Sequence, residues 1–250
     1  MKAFDHKFDT EVAIKILNSG HSESRTNAEY ETIQHINQNF PKSTFFVRNI
    51  ENFHFRTHFC MVFELLGDPA YELYDSKKTK EKRPFRDREA ELKSYITDIL
   101  KGLILLHSIG VVHNDLKPEN LLLDINTNEF KPDFGERPKI KIMDFGLSCV
   151  LDYESKSHLT KCENYHVQTR YYRSPEIMLG IPYDQSSDMW QVGVIGAEMF
   201  RGRRFVISES DADHLAATME IIGLPPLSLL EVSSKRQVYY GESSRTDCLL

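Results

Sequence analysis

The run His113-Asn114-Asp115-Leu116-Lys117-Pro118-Glu119-Asn120, followed by Leu121-Leu122-Leu123, constrains this chain more than any other feature. It gathers a carboxylate, an ammonium and an amide, on Asp115, Lys117 and Asn120, within one short polar segment. The apolar triplet behind it reads as a strand. A strand there pins the polar segment as a loop, which keeps the three polar side chains close together.

A length of 250 residues allows one large domain or two small lobes sharing a cleft. Residues 11–17, Glu-Val-Ala-Ile-Lys-Ile-Leu, read as a buried strand with one charge placed in it, and 24–38 as a helix. The apolar runs Phe45 to Ile50 and Phe59 to Leu66 predict a hairpin over 44–66. From Asp87 the pattern turns helical, with Tyr95, Ile99, Leu103 and Leu106 on one face. Short strands return over 120–143, and 186–201 and 211–222 are again helical. A strand-rich first third before a helix-rich remainder means an α+β fold with two lobes, divided near Leu66 to Asp75. Ligands are expected in the cleft between the lobes.

Composition works by exclusion. A formal charge of −6 argues against coating nucleic acid, because phosphate neutralisation needs a basic face. Cys60, Cys149, Cys162 and Cys248 form no C-x-x-C pair and have no His at zinc-ligand spacing; a disulfide framework is not expected, and a reducing compartment is the default. The N-terminus lacks the apolar core of a signal peptide, and the most apolar stretch, Gly102 to Val112, is too short to span a bilayer. The expectation is an intracellular protein of cytoplasm or nucleus that engages neither nucleic acid nor membrane directly, its oligomeric state left open. The basic stretch Lys77 to Pro84 reads as a solvated loop, with a nuclear-import signal as the alternative.

The run 113–120 resembles the catalytic loop of eukaryotic protein kinases. The resemblance implies that Asp115 accepts the proton of a substrate hydroxyl, that Asn120 holds a magnesium ion, and that Lys117 neutralises charge on the transferring phosphoryl group. Two Asp-Phe-Gly sequences compete for the second metal position. Asp133-Phe134-Gly135 follows Lys131-Pro132, and Pro lacks the donor that a central strand needs. Asp144-Phe145-Gly146 follows the alternating strand Lys139 to Met143, which aims Asp144 at the metal and leaves 124–138 as a loop insertion. Val12-Ala13-Ile14-Lys15 is similar to the kinase strand whose Lys contacts the α- and β-phosphates. Its acidic partner is expected at Glu29, since Ile33 one turn later faces the core, with Glu31 second. Phe63-Glu64-Leu65-Leu66-Gly67 is the implied hinge, where backbone groups of Glu64 and Leu66 meet adenine. Tyr171-Tyr172-Arg173-Ser174-Pro175-Glu176 resembles the end of an activation segment, and Asp188 the start of a buried helix that ties down the backbone near His113.

The likeness runs from about residue 2 to 240 and is greatest to the CMGC group, within it the DYRK, HIPK and LAMMER (Cdc-like) families. It rests on residues 63–67, Tyr74-Asp75, Asn114 in place of a common Arg, and Gln168 to Glu176; Leu215 to Glu220 matches the LAMMER motif only in part. It implies a partial, β-rich N-lobe over 1–66, a C-lobe with catalytic and activation segments over 67–226, and an incomplete C-terminal part over 227–250. The cofactors implied are ATP and Mg²⁺, and the partners are proteins that offer Ser or Thr hydroxyls, with Tyr added in dual-specificity members.

The departures carry expectations of their own. His166 stands where DYRK kinases autophosphorylate a tyrosine, and Asn114 removes an Arg that in many kinases grips a phosphorylated segment. The activation segment is therefore expected to be held by protein contacts, with Arg173 able to pair with any phosphate added nearby. No G-x-G-x-x-G precedes Lys15, and Glu176 has no assignable Arg partner. A kinase-like binding protein with little catalysis is thus the alternative reading. A small-molecule kinase would leave Tyr171 to Glu176 unexplained.

Overall fold

In a computed structural model, β1 (Lys2–Asp5), β2 (Thr10–Leu17), β3 (Asn49–Phe55) and β4 (His58–Glu64) form an antiparallel sheet in the order β1-β2-β4-β3. The structure describes residues 1–17, 23–70, 85–124, 138–151, 162 and 164–240, with the side chains of 23–27 and 85–88 left aside. Tyr74-Asp75, the basic stretch 77–84, Asp133-Phe134-Gly135 and Cys248 lie outside these residues. Pairing of Val12 with Glu64 and of Lys15 with Met61 locks the lysine strand to the strand that enters the hinge. Helix α1 (Glu23–Asn39) buries Ile33 and Ile36, and Glu29 lies one turn before Ile33 on that same inward face.

The hairpin differs from its expected bounds. β3 begins at Asn49, because Phe45 to Val47 are drawn to the other lobe instead. Val47 N donates to Ile142 O at 3.0 Å and Ile142 N to Phe45 O at 2.8 Å. Apolar content does not distinguish a strand inside the sheet from one paired across the lobes.

In the larger lobe, α2 (Phe85–Ser108) buries Tyr95, Ile99, Leu103 and Leu106 along the face that their spacing marks. It presses closely on β7 (Lys139–Ile142): a Cβ on Gly102 would sit 2.8 Å from Ile142 Cδ1. β5 (Val111–Val112) pairs with β8 (Cys149–Val150), and β6 (Leu121–Asp124) with β7, all antiparallel. The two ribbons hold segments 113–120 and 143–148 together. α3 (Pro175–Met178), α4 (Ser186–Arg201) and α5 (Asp211–Ile222) follow, and α4 carries the fully buried polar side chains Asp188 and Gln191. α6 (Leu227–Glu231) and α7 (Arg236–Tyr240) bury Leu230, Tyr239 and Tyr240 in one cluster with Met178, Leu179, Leu215 and Met219. A small antiparallel-sheet lobe against a helical lobe is the α+β architecture expected.

Cys149 and Cys162 form a disulfide, against the expectation from their spacing. Their approach is tertiary: β8 lies beside β5, while Cys162 exchanges main-chain hydrogen bonds with Tyr183 at 2.7 and 3.1 Å. Linear spacing carries no trace of either pairing. Among the described residues, no helix is long and apolar enough to cross a membrane.

Candidate active site

The loop before β6 turns back on itself and would strand its N–H groups away from water. The buried polar face of α4 satisfies them. Asp188 Oδ2 accepts from His113 N and Oδ1 from Asn114 N, each at 2.9 Å, and Gln191 Oε1 accepts from Leu116 N at 3.0 Å. Asn114 holds a left-handed φ of 64°, a conformation that Asn adopts more readily than most residues.

This scaffold aims Asp115 into the cleft. Its Oδ2 accepts from Lys117 Nζ at 2.7 Å, and its Oδ1 from Thr169 N and Oγ1 at 3.2 and 2.9 Å. Lys117 Nζ also donates to Thr169 Oγ1 at 3.2 Å. Asn120 Nδ2 donates to Asp115 O at 2.9 Å, which leaves its Oδ1 as the acceptor directed elsewhere. Thr169 escaped the sequence reading although it lies within a quoted segment. A threonine in a polar loop carries no signal until the loop folds over Asp115.

The opposite wall is built from β7, β2 and α1. Phe145 is buried edge-on against Phe46 and His113, and this fixes Asp144 beside it at a φ of 66°. Gly146 lets the chain pass close by: a Cβ there would meet Glu29 Oε2 at 3.2 Å and Asp144 Oδ1 at 3.4 Å. Lys15 Nζ lies 2.6 Å from Glu29 Oε1 and 2.8 Å from Asp144 Oδ1, while Glu31 is exposed. Burial works against the Lys15 charge, but its two carboxylates outweigh burial and raise its pKa. For Asp144, burial acts upward and is overcome by the Lys15 charge and hydrogen bond, so the carboxyl is held below its usual range. Glu29 is pushed up by burial, which a shared lysine offsets only in part.

Between these walls lies a cavity of about 310 Å³. Ala13, Val47, Phe63, Leu66, Leu122 and Met143 give it an apolar lining, and Lys15, Glu29 and Asp144 make one end charged. Glu64 lines it too, but its N–H already donates to Arg48 O at 3.1 Å. The Glu64 carboxylate accepts from Arg48 N and from Lys141 Nζ, both at 2.8 Å. Lys141 is a second residue that the sequence reading missed, because the alternation over 139–143 gave it no partner. It is buried, and its Nζ lies 2.9 Å from Asp124 Oδ2 in a charge contact without hydrogen-bond alignment.

The family model described as the protein kinase domain matches residues 1–243. The chain belongs to the protein kinase domain family. Among curated relatives it is 33% identical over 242 residues to dual specificity tyrosine-phosphorylation-regulated kinase 4 of Homo sapiens, covering 96% of this chain and 42% of that protein. It is 36% identical over 245 residues to dual specificity tyrosine-phosphorylation-regulated kinase 3 of Rattus norvegicus, covering 97% and 38%. To homeodomain-interacting protein kinase 1 of Caenorhabditis elegans it is 35% identical over 234 residues, covering 92% and 25%. The chain thus spans less than half the length of these relatives.

The kinase family uses ATP and Mg²⁺, and the residues present fit both. The apolar part of the cavity suits a flat base, and Lys15 at its charged end suits phosphate oxygens. Lys15, Glu29 and Asp144 together carry one cation against two carboxylates, so the cluster has acceptor charge left for a metal. Asp144 and Asn120 offer oxygen ligands of the type Mg²⁺ selects, and Mg²⁺ draws the rest of its shell from water and phosphate.

Proposed function

We propose that this chain transfers the γ-phosphate of ATP to serine and threonine hydroxyls of protein substrates. The observation that carries the reading is the placement of Asp115: one carboxylate oxygen faces Lys117 and the other Thr169, on the same cleft as Lys15, Glu29 and Asp144. In this reading Asp115 takes the proton of the acceptor hydroxyl while that oxygen bonds to the γ-phosphorus and the bond to the leaving ADP oxygen breaks. Lys117 then neutralises charge on the group in flight, and Lys15, held by Glu29, orients the α- and β-phosphates. Mg²⁺, when bound at Asp144 and Asn120, supplies charge neutralisation on the phosphates. Main-chain groups of Glu64 and Leu66 receive the adenine. The protein works inside the cell, where ATP is available.

Dual specificity belongs to the names of relatives, and His166 at the tyrosine position gives no reason to extend it here. The test is a phosphotransfer assay on a Ser/Thr peptide with Mg-ATP, run beside a thermal melt. The parent transfers phosphate and melts later with Mg-ATP, Asp115→Asn keeps the melting shift and loses transfer, and Asp144→Ala loses both. A folded parent that ignores Mg-ATP would reject the reading and leave a kinase-like binding protein.

A further inference from the structure

Arg170 and Arg173, from the end of the activation segment, converge on one carboxylate. Arg170 Nε lies 3.1 Å from Asp211 Oδ1, and Arg173 Nη1 lies 2.8 Å from Asp211 Oδ2. Asp211 is the first residue of α5, where the helix dipole favours a negative charge. The loop before it is itself built. Ser210 caps the helix by accepting from Asp213 N at 3.1 Å, Asp213 Oδ2 accepts from Glu209 N at 2.9 Å, and Arg170 Nη1 donates to Glu209 O at 2.8 Å. Asp211 therefore offers its charge from a fixed position.

The far side of Arg173 is equally committed. Its Nε donates to Val167 O at 3.2 Å and Gln168 O at 3.3 Å, and its Nη2 to Gln168 O at 2.9 Å. Gln168 has a φ of 65°, a left-handed conformation that a glutamine holds only when its surroundings impose it. The next residue, Thr169, places its N and Oγ1 on Asp115 Oδ1. An unbroken set of hydrogen bonds and one peptide link thus runs from Asp211 through Arg173, the carbonyls of Val167 and Gln168, and Thr169 to Asp115.

We infer that Asp211 is a positioning residue that latches the activation segment: through Arg173 it holds Thr169 against Asp115, with a carboxylate of the folded chain acting where a phosphate would otherwise be needed. The inference rests on the kinase reading above. His166, at the position where the resemblance places an activating tyrosine, is consistent with a latch that needs no added phosphate.

The experiment compares the full chain with Asp211→Asn, Asp211→Glu and Glu220→Gln in steady-state phosphotransfer. Each is also melted with and without Mg-ATP. Asp211→Asn should lower kcat about 10- to 100-fold, the scale of a misplaced catalytic group, with KM for ATP and the Mg-ATP melting shift unchanged. Asp211→Glu should recover most of that loss. Glu220→Gln, the same charge change at an exposed position of the same helix, should stay near the parent. On a Thr169→Ala background, Asp211→Asn should add less than about twofold, because the link is already cut. Full activity in Asp211→Asn, an undiminished effect on the Thr169→Ala background, or loss of parental activity on phosphatase treatment would each overturn the latch. Should Asp211→Asn fail to fold, Arg173→Lys replaces it. A lysine keeps the ion pair but cannot span both carbonyls, so the same kcat loss is expected, and parental activity would reject the proposal. A parent that transfers no phosphate counts against the kinase reading alone. Amide exchange over residues 165–174, faster in Asp211→Asn than in the parent, then decides the latch separately.

Discussion

Two lysines in this molecule each sit between two carboxylates, and the two clusters serve different ends. Lys15 stands between Glu29 and Asp144, and Lys141 between Glu64 and Asp124. Both tie the small lobe to the strands beneath the catalytic loop, and each carries the same formal charge. They differ in access. The side chains of Lys15 and Asp144 are 33% and 35% exposed and face the cavity, whereas Lys141 and Asp124 are 8% and 1% exposed. A charge cluster open to a cavity can exchange partners for a phosphate or a cation. In the other cluster only Glu64 reaches the cavity; Lys141 and Asp124 are sealed behind it, and their role is to hold the hinge strand over β6 and β7. Equal charge composition thus yields a ligand site in one place and a structural brace in the other, with solvent access deciding which.

The widest separation of the two comes from Asp144→Asn. It leaves Lys15 and Glu29 as a balanced pair, so the melting temperature should drop by only a few degrees while phosphotransfer falls by about 10²-fold or more. A variant that retains transfer would move the metal ligand elsewhere. In the sealed cluster the outcome reverses. Lys141→Met removes the cation from between Glu64 and Asp124 and should cost about 3–5 kcal/mol, roughly 10 °C in a chain of this length. Converting all three, Lys141→Met with Glu64→Gln and Asp124→Asn, should recover most of it, since the carboxylate charges leave with the lysine. If the triple variant melts no higher than the single one, the cluster contributes through specific geometry beyond charge balance.

The open cluster was the legible one. Val12-Ala13-Ile14-Lys15 marked Lys15 through its likeness to the kinase strand, and the choice of Glu29 over Glu31 followed from Ile33 at the next helical turn. The choice of Asp144 over Asp133 followed from a proline and from the alternating strand 139–143. All three are read from a few neighbouring residues, which are written in the chain. The face of α2 was readable for the same reason. Lys141, Thr169, Asp211 and the Cys149–Cys162 pair were not. Each acquires its role from a partner brought up by tertiary folding: Thr169 meets Asp115, and Lys141 meets Glu64. The strand at Phe45 failed likewise, since its partner is Ile142 in the other lobe.

The pH dependence of folding sharpens the contrast within the open cluster. The Asp144 carboxyl is depressed by Lys15, so its contribution is present above the ordinary carboxylate range and is lost as pH falls through the depressed value. Asp144→Asn lacks that contribution at every pH. The parent should therefore melt a few degrees above the variant near pH 7, and the gap should close as pH falls through the depressed Asp144 value. A gap that does not narrow on acidification would show that Lys15 favours Glu29 alone.

The smallest effect lies at a half-buried carboxylate outside both clusters, Glu176. Glu176 has no ion pair among the described residues, and burial pushes its carboxyl up. A raised acid pKa means that the folded state binds the proton more readily than the unfolded chain. The resulting stability is present at low pH and is lost as pH rises through the folded value. Glu176→Gln removes the group that must ionise, so in this chain it should melt about 2 °C above the parent at pH 8 and level with it near pH 4. Should the parent instead be the more stable at pH 8, a cation reaches Glu176, and the site would join Lys15 and Lys141 as a third paired cluster.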